Sequence, residues 1–288
     1  MKIAIVGGYG KMGRWCAAFM LKAGFKVLLI GRSEQKLLDA KKEIGDIETS
    51  SRLESVKSAE VILLSVPIDN FEEVVKELGP HVSPGKTVID ITSIKEIPVK
   101  LMHKYLKATT LGVHPMFGPG ARDASGQNFV LTPTNKNEKA LSEKVRQYLE
   151  AQGAQVTVLT PQKHDELMAV VLGLSQLLAL VSADTLLAID EPGKTREVSG
   201  STYKLLLTLA KSVVSENPQF CASLQMNLPV LKVGECFREK LASWIELVAN
   251  KDRQAFIRKI DELRCKFEET EPDFERAYQD MYKLVGGL

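Results

Sequence analysis

KIAIVGGYGKMG, residues 2–13, reads as a short apolar strand that breaks on glycine and runs at once into a helix. Ile3, Ala4, Ile5 and Val6 are apolar without alternation, the pattern of a parallel strand buried on both faces. Gly8-Tyr9-Gly10-Lys11-Met12-Gly13 matches G-x-G-x-x-G. Alone the pattern is weak; directly between a strand and a helix it marks a dinucleotide-binding turn. Gly8 is expected to permit the tight turn, Gly10 to let the backbone approach a pyrophosphate, and Gly13 to let helix and strand pack closely. Tyr9, Lys11 and Met12 complete the turn at a helix N-terminus, where free N–H groups and the helix dipole favour an anion.

Working outward, residues 11–23 have helical spacing of Met12, Trp15, Cys16, Phe19 and Met20, and Gly24 stops that helix. Residues 26–30, 61–66 and 87–91 read as further strands with helical stretches between them, notably 70–78. Such alternation predicts a doubly wound α/β domain with a mostly parallel sheet, the Rossmann type. Residues 129–132 and 155–159 look like two more strands around a helix over 138–151. From Pro161 onward only helices are expected: 164–189, 195–215, 235–249, 253–269 and 273–284. The organisation predicted is therefore a dinucleotide-binding domain over 1–160 and an all-helical domain over 161–288 that serves the substrate and dimerisation. Long amphipathic helices are hard to bury alone, so a homodimer through this half is expected.

The composition bounds the function. Of 288 residues 44% are hydrophobic and 26% charged, and the net charge is +2, which offers no strong field for nucleic acid or membrane. Cys16, Cys221, Cys236 and Cys265 form no pair with metal spacing and read as free thiols of a reducing compartment. No metal is expected. Residues 1–6 already form a strand instead of a signal peptide. The most apolar run, 167–187, carries Ser175, Gln176, Ser182 and Asp184 and reads as a buried helix, so a cytoplasmic location is expected.

The end of the second strand discriminates between nucleotides. An acidic residue there would hold the ribose 2′-hydroxyl of NAD. Here Gly31-Arg32-Ser33 follows, with no carboxylate before Glu34. Arg32 suits a 2′-phosphate through charge-assisted hydrogen bonds, and Ser33 adds one more. NADP is the expected cofactor, with NAD left open. Ser65, Val66 and Pro67, after a later strand, are expected to line the cofactor channel.

Two segments then fall where chemistry should occur. Asp90–Glu96 closes a buried strand, and Gly112-Val113-His114-Pro115-Met116-Phe117-Gly118-Pro119 follows the next. The second run, with Ser93 and Lys95 upstream and His164-Asp165 and Met168-Ala169 downstream, resembles the prephenate dehydrogenase family, which includes arogenate-using relatives. The resemblance implies a reaction of tyrosine biosynthesis, the oxidative decarboxylation of prephenate to 4-hydroxyphenylpyruvate. Hydride leaves the alcohol carbon for the nicotinamide, the hydroxyl proton goes to a base, and loss of CO₂ makes the ring aromatic. His114 matches the family's catalytic histidine, and a neutral imidazole suits that role because its pKa of about 6.5 lies near the working pH. Ser93 matches the serine that hydrogen-bonds the substrate hydroxyl and the histidine. Lys95 matches a lysine that attracts a carboxylate. His164 is read as ordering a helix start whose first turn Asp165 caps.

Two positions depart from the family. Gln176 stands where the resemblance implies a histidine, and Gln cannot titrate. Ser212 stands where it implies an arginine that grips a substrate carboxylate, ahead of Asn217-Pro218. Losing such a charge-assisted contact costs about 1.5–3 kcal/mol. Lys211, Lys204 and Arg196 are the nearby substitutes, without arginine's fork geometry. These departures leave open arogenate, another small carboxylate or an imine as substrate, and a nucleotide-sensing protein without turnover.

Overall fold

The computed structural model describes residues 1–188 and 192–287. The chain divides into two compact units, Met1–Met168 and Ala169–Leu288.

The first unit is built on one eight-stranded sheet. Its strands are β1 (Lys2–Val6), β2 (Lys26–Ile30), β3 (Glu48–Ser50), β4 (Val61–Leu64), β5 (Thr87–Asp90), β6 (Thr109–Pro115), β7 (Asn128–Thr132) and β8 (Gln155–Val158). They lie in the order β3-β2-β1-β4-β5-β6-β7-β8. Every neighbouring pair is parallel except β6 and β7. Helices α1 (Lys11–Lys22), α2 (Glu34–Ile44), α3 (Phe71–Leu78), α4 (Glu96–Tyr105), α5 (Lys136–Ala151) and α6 (Pro161–Met168) connect or follow the strands. This is the expected doubly wound, mostly parallel arrangement.

Strand periodicity explains the core. Ile3, Ile5, Val27 and Leu29 face Cys16, Ala17, Leu37 and Ala40 on one side of the sheet. Ala4, Val6, Leu28, Ile30, Ile62 and Leu64 face Phe71, Val75, Leu78 and Met102 on the other. Adjacent residues of one strand thus feed opposite cores, which is why these strands show no apolar–polar alternation. Each large side chain so buried contributes about 1.5–3 kcal/mol.

Two strand expectations change. β3 has the polar sequence Glu48-Thr49-Ser50, which carries no strand signal of its own, and forms by pairing with β2. β6 continues through His114 and Pro115, residues expected in a loop after the strand. Its parallel neighbour β5 has already stopped at Asp90, but antiparallel β7 continues the pairing, with His114 opposite Val130 and Pro115 opposite Phe129. The first unit also reaches past residue 160, because α6 buries Pro161, His164, Asp165 and Met168.

Among its described residues the second unit is helical throughout. A π-helical turn, Ala169–Leu174, precedes α7 (Ser175–Leu187), and α8 (Pro192–Glu197), α9 (Ser201–Val214), α10 (Pro218–Asn227), α11 (Val230–Ala249), α12 (Arg253–Thr270) and α13 (Ala277–Gly286) follow. The single helix expected over 164–189 is thus interrupted by the π turn, and Ile189 lies outside the described residues. Gly173 lets that turn meet α11, since a Cβ there would lie 2.6 Å from Val230 Cγ2. The helix expected over 195–215 divides at Gly200, whose extended backbone caps α9. α10, not expected, begins on Asn217, which accepts a hydrogen bond from Gln219 N, followed by Pro218 in the first turn.

The apolar run expected to be a buried helix is largely open. Val171 is 50% and Leu187 76% exposed. Among the described residues Pro161–Leu187 is long and apolar enough, by length and composition, to cross a membrane.

Candidate active site

The glycine turn joins β1 to α1. Gly7, and not Gly8, takes the left-handed conformation, with φ of +78°. A Cβ on Gly7 would also collide with the Ser65 carbonyl. Gly8 is needed for a different reason, because a side chain there would lie 2.6 Å from Leu29 Cδ2 and 2.9 Å from Ile5 O. Gly13 meets Gly7 O at 2.7 Å, the close helix–turn packing expected of it. Gly10 is the least crowded of the three and caps α1 without a side-chain hydrogen bond, and no acid lies in the first turn. The N–H groups of that turn therefore present positive partial charge without a carboxylate nearby. The turn fits a pyrophosphate. Lys11 is exposed and Met12 half-buried beside it.

Tyr9 ties this turn to the end of β2. Its ring covers Gly31, where any Cβ would strike it, and its carbonyl accepts from Arg14 Nε at 2.9 Å. The Lys36 ammonium lies 5.7 Å from the ring centroid. Arg32 is exposed and has no ion pair among the described residues. Ser33 accepts a long hydrogen bond of 3.4 Å from Lys36 N and caps α2, which leaves its hydroxyl proton free to donate.

Register brings the other segments to the same sheet edge. Val6, Leu64, Asp90 and Gly112 stand side by side across β1, β4, β5 and β6. Three strand spacings, about 14 Å, separate the first from the last. The glycine turn, Ser65-Val66-Pro67 and the β5–α4 turn all leave the sheet here, and His114 lies two residues beyond Gly112 on β6. Ser65 and Val66 are half-buried and Pro67 exposed.

His114 is 5% exposed. Its Nδ1 lies 2.9 Å from Nε2 of His164, whose Nδ1 lies 2.7 Å from Oδ1 of Asp165. Burial, then the nearby Lys95, and last any charge on His164, hold the His114 pKa well below the ordinary 6.5. Burial also lowers His164, opposed by its hydrogen bond to Asp165.

The cluster holds contacts that the sequence does not announce. Lys95, expected to attract a substrate carboxylate, is fully buried and pairs with Asp90. Burial lowers its pKa, while Asp90 and Asp165 oppose the shift. A glycine at 112 is required beside it, since a side chain there would press on the Lys95 stem and strike Thr132. Asp165 caps α4, not its own helix, accepting from Lys95 N at 2.8 Å and Glu96 N at 2.9 Å. His164 does stand in the first turn of α6, its N–H bonded to Thr160 O at 2.9 Å, and its ring also links Asp165 to His114. Ser93 is half-buried and makes no hydrogen bond to His114 among the described residues.

Comparison with known proteins gives the same family twice. Residues 16–158 match the nucleotide-binding domain of prephenate dehydrogenase and residues 160–262 its dimerization domain. The chain belongs to the prephenate dehydrogenase family. It is 34% identical over 272 residues to a probable arogenate/prephenate dehydrogenase of Methanocaldococcus jannaschii, covering 93% of this chain and 61% of that protein's length. It is 24% identical to the T-protein of Haemophilus influenzae, over 100% of this chain and 72% of the relative. A prephenate dehydrogenase from A. aeolicus, solved with hydroxyphenyl propionate and NAD+, aligns with a TM-score of 0.80 at 25% identity, covering 94% of this chain and 98% of that one. Synechocystis arogenate dehydrogenase shares the fold, with a TM-score of 0.75 at 21% identity over 93% and 99% of the two chains.

The positions that depart from the prephenate dehydrogenase pattern lie in the second unit. Gln176, on α7, is 8% exposed, and its Oε1 accepts from Gln225 Nε2 at 2.9 Å. The same Gln225 nitrogen donates to the Gly173 carbonyl at 3.0 Å, which fixes both side chains on the π turn. Lys211 and Ser212 are exposed on α9, where the Ser212 hydroxyl donates back to Leu209 O at 2.8 Å. Lys204 and Arg196 are exposed as well.

Proposed function

We propose that this family member oxidises and decarboxylates prephenate to 4-hydroxyphenylpyruvate with NADP. The reading is carried by one observation: a buried imidazole, disinclined to take a proton from water, at the carboxyl edge of the sheet that also bears the glycine turn. A bound nicotinamide supplies the hydride acceptor. His114 takes the hydroxyl proton of the substrate as the C–H pair departs and the carbonyl forms. The ring carboxylate then leaves as CO₂, its electrons complete the aromatic ring, and the proton held on His114 returns to the phenolate oxygen. A base that stays neutral at working pH is ready for the first step. Ser93, without a hydrogen bond to His114 among the described residues, bonds the reacting hydroxyl. Lys95, held by Asp90, acts on the site only through its field.

Arg32 and Ser33, with Lys36 beside them, favour the 2′-phosphate and hence NADP over NAD. Gln176, Lys211 and Ser212 are assigned to the substrate side chain. The exposed apolar residues of the helical unit, among them Val170, Val171, Val181 and Leu231, suit pairing with a second copy, in keeping with the dimerization-domain match. The protein is then a cytoplasmic homodimer, and light scattering after size exclusion tests the dimer directly.

The function is tested by adding prephenate and NADP to the purified chain and following NADPH absorbance and CO₂ release. A second reading, arogenate as substrate, is favoured by Ser212 in place of an arginine and by the name of the M. jannaschii relative. Turnover of arogenate alone selects it. Nucleotide binding without turnover of either acid refutes both.

A further inference from the structure

A base at His114 must present one ring nitrogen as a free lone pair, and a neutral imidazole has two ways of placing its proton. Three contacts inside the first unit decide between them. Asp165 accepts Lys95 N and Glu96 N at the start of α4, and a carboxylate so engaged is an acceptor only. The 2.7 Å contact from Asp165 Oδ1 to His164 Nδ1 therefore needs the proton on that nitrogen. A neutral His164 then has its lone pair on Nε2. The 2.9 Å contact between His164 Nε2 and His114 Nδ1 needs a donor, which only His114 Nδ1–H supplies. The lone pair of His114 is left on Nε2.

We infer that His164 and Asp165 are positioning residues, which hold His114 in the Nδ1–H tautomer with Nε2 as the proton acceptor. The inference rests on the proposed role of His114 as base. The charged groups around the chain agree with it. Lys95 faces both imidazoles, while Asp165 and Asp90 act on His164. The histidines are at most 5% exposed, so the partners that fix the protons are those inside the fold. One carboxylate also anchors two things at once: the proton on His164 and the first turn of α4, just after Ser93. Asp165 thereby sets the imidazole and the β5–α4 turn in register with each other.

The test reads the ring nitrogens directly, by ¹⁵N chemical shifts of histidine in the full-length protein at neutral pH. His114 and His164 should both be neutral with Nδ1 protonated. His164→Phe should release His114 toward the Nε2–H form and lower kcat about 10²-fold, the low end of what a general base contributes. The KM for nucleotide should stay unchanged. His164→Gln, whose amide oxygen can still accept from His114 Nδ1–H, should restore the tautomer and much of the rate. A wild-type His114 protonated on Nε2, or an unchanged tautomer in His164→Phe, overturns the inference. A purely structural histidine would lower the melting temperature without moving the shifts. If His164→Phe fails to fold, the wild-type and His164→Gln shifts still decide. If neither prephenate nor arogenate is turned over, the tautomer is still measured, so failure of the function and failure of the positioning chain are told apart.

Discussion

At the end of β5 and β6, Asp90, Lys95, His114, His164 and Asp165 are each no more than 5% exposed, and the fold supplies their partners. At the end of β2, Arg32 and Lys36 stand in the open, and Ser33 holds only a long capping bond. Both regions serve the same sheet edge. On the proposed function, the groups that move a proton are oriented by one another before any ligand arrives, because a misplaced imidazole loses catalysis. On the same reading, the cations proposed to meet a phosphate are left without ion pairs, because the ligand brings the opposite charge. A buried ion pair is costly to assemble and more costly to break, whereas an exposed cation is easily changed.

The largest effect should therefore come from breaking the buried pair. Asp90→Ala would strand the Lys95 ammonium and remove the acceptor of Thr92 N, which lies 2.8 Å away. A loss of about 3–5 kcal/mol is expected in urea unfolding. Adding Lys95→Met should recover much of it, and no recovery would mean the charge on Lys95 is not what Asp90 compensates.

Next in size is the imidazole itself. His114→Asn should lower kcat by about 10²–10⁴-fold with cofactor affinity unchanged; equal losses in both would make His114 a structural residue. Its lowered pKa also has a stability consequence. Between the folded pKa and about 6.5, the unfolded chain binds a proton that the folded chain refuses, so stability falls as pH drops below about 6.5. His164 adds in the same direction. Urea midpoints at about pH 7.5 and about pH 5.5 should separate less in His114→Asn than in the wild type.

The same contrast explains which features are legible in the sequence. The glycine turn is readable because close packing leaves few residue choices, as Gly13 illustrates. The pattern does not say which glycine of Gly7-Gly8 turns left-handed, nor that the Ser65 carbonyl at the end of neighbouring β4 closes on Gly7. The strands of the buried sheet are readable from apolar runs, but β3 and the extension of β6 depend on partners distant in sequence. His114 stands out by its neighbours, while its link to His164 crosses fifty residues and leaves no local trace. Lys95 carries no sequence sign that its partner is Asp90, because the pairing depends on how the β5–α4 turn folds back. The start of α10 is signalled by Asn217-Pro218, a cap followed by a first-turn proline.

In the exposed region the effects should be smaller. Arg32→Asp should shift preference from NADP toward NAD by about 10-fold or more, the value of a charge-assisted hydrogen bond of about 1.5–3 kcal/mol. Unchanged preference, measured as the ratio of kcat/KM for the two nucleotides, would remove Arg32 from nucleotide selection.

The smallest change separates the two roles of Ser33. A serine that only caps α2 is replaced well by aspartate, since both cap strongly and a carboxylate suits a helix N-terminus. A serine that also donates to a 2′-phosphate is not, because aspartate cannot donate and repels the phosphate. Ser33→Asp should therefore leave the melting temperature unchanged, or raise it slightly given the weak 3.4 Å cap it replaces, while NADP affinity falls and NAD affinity holds. Calorimetric titration with each nucleotide reads the difference. Equal affinities before and after would assign Ser33 to the helix alone, and the open end of β2 would then act through Arg32 and Lys36.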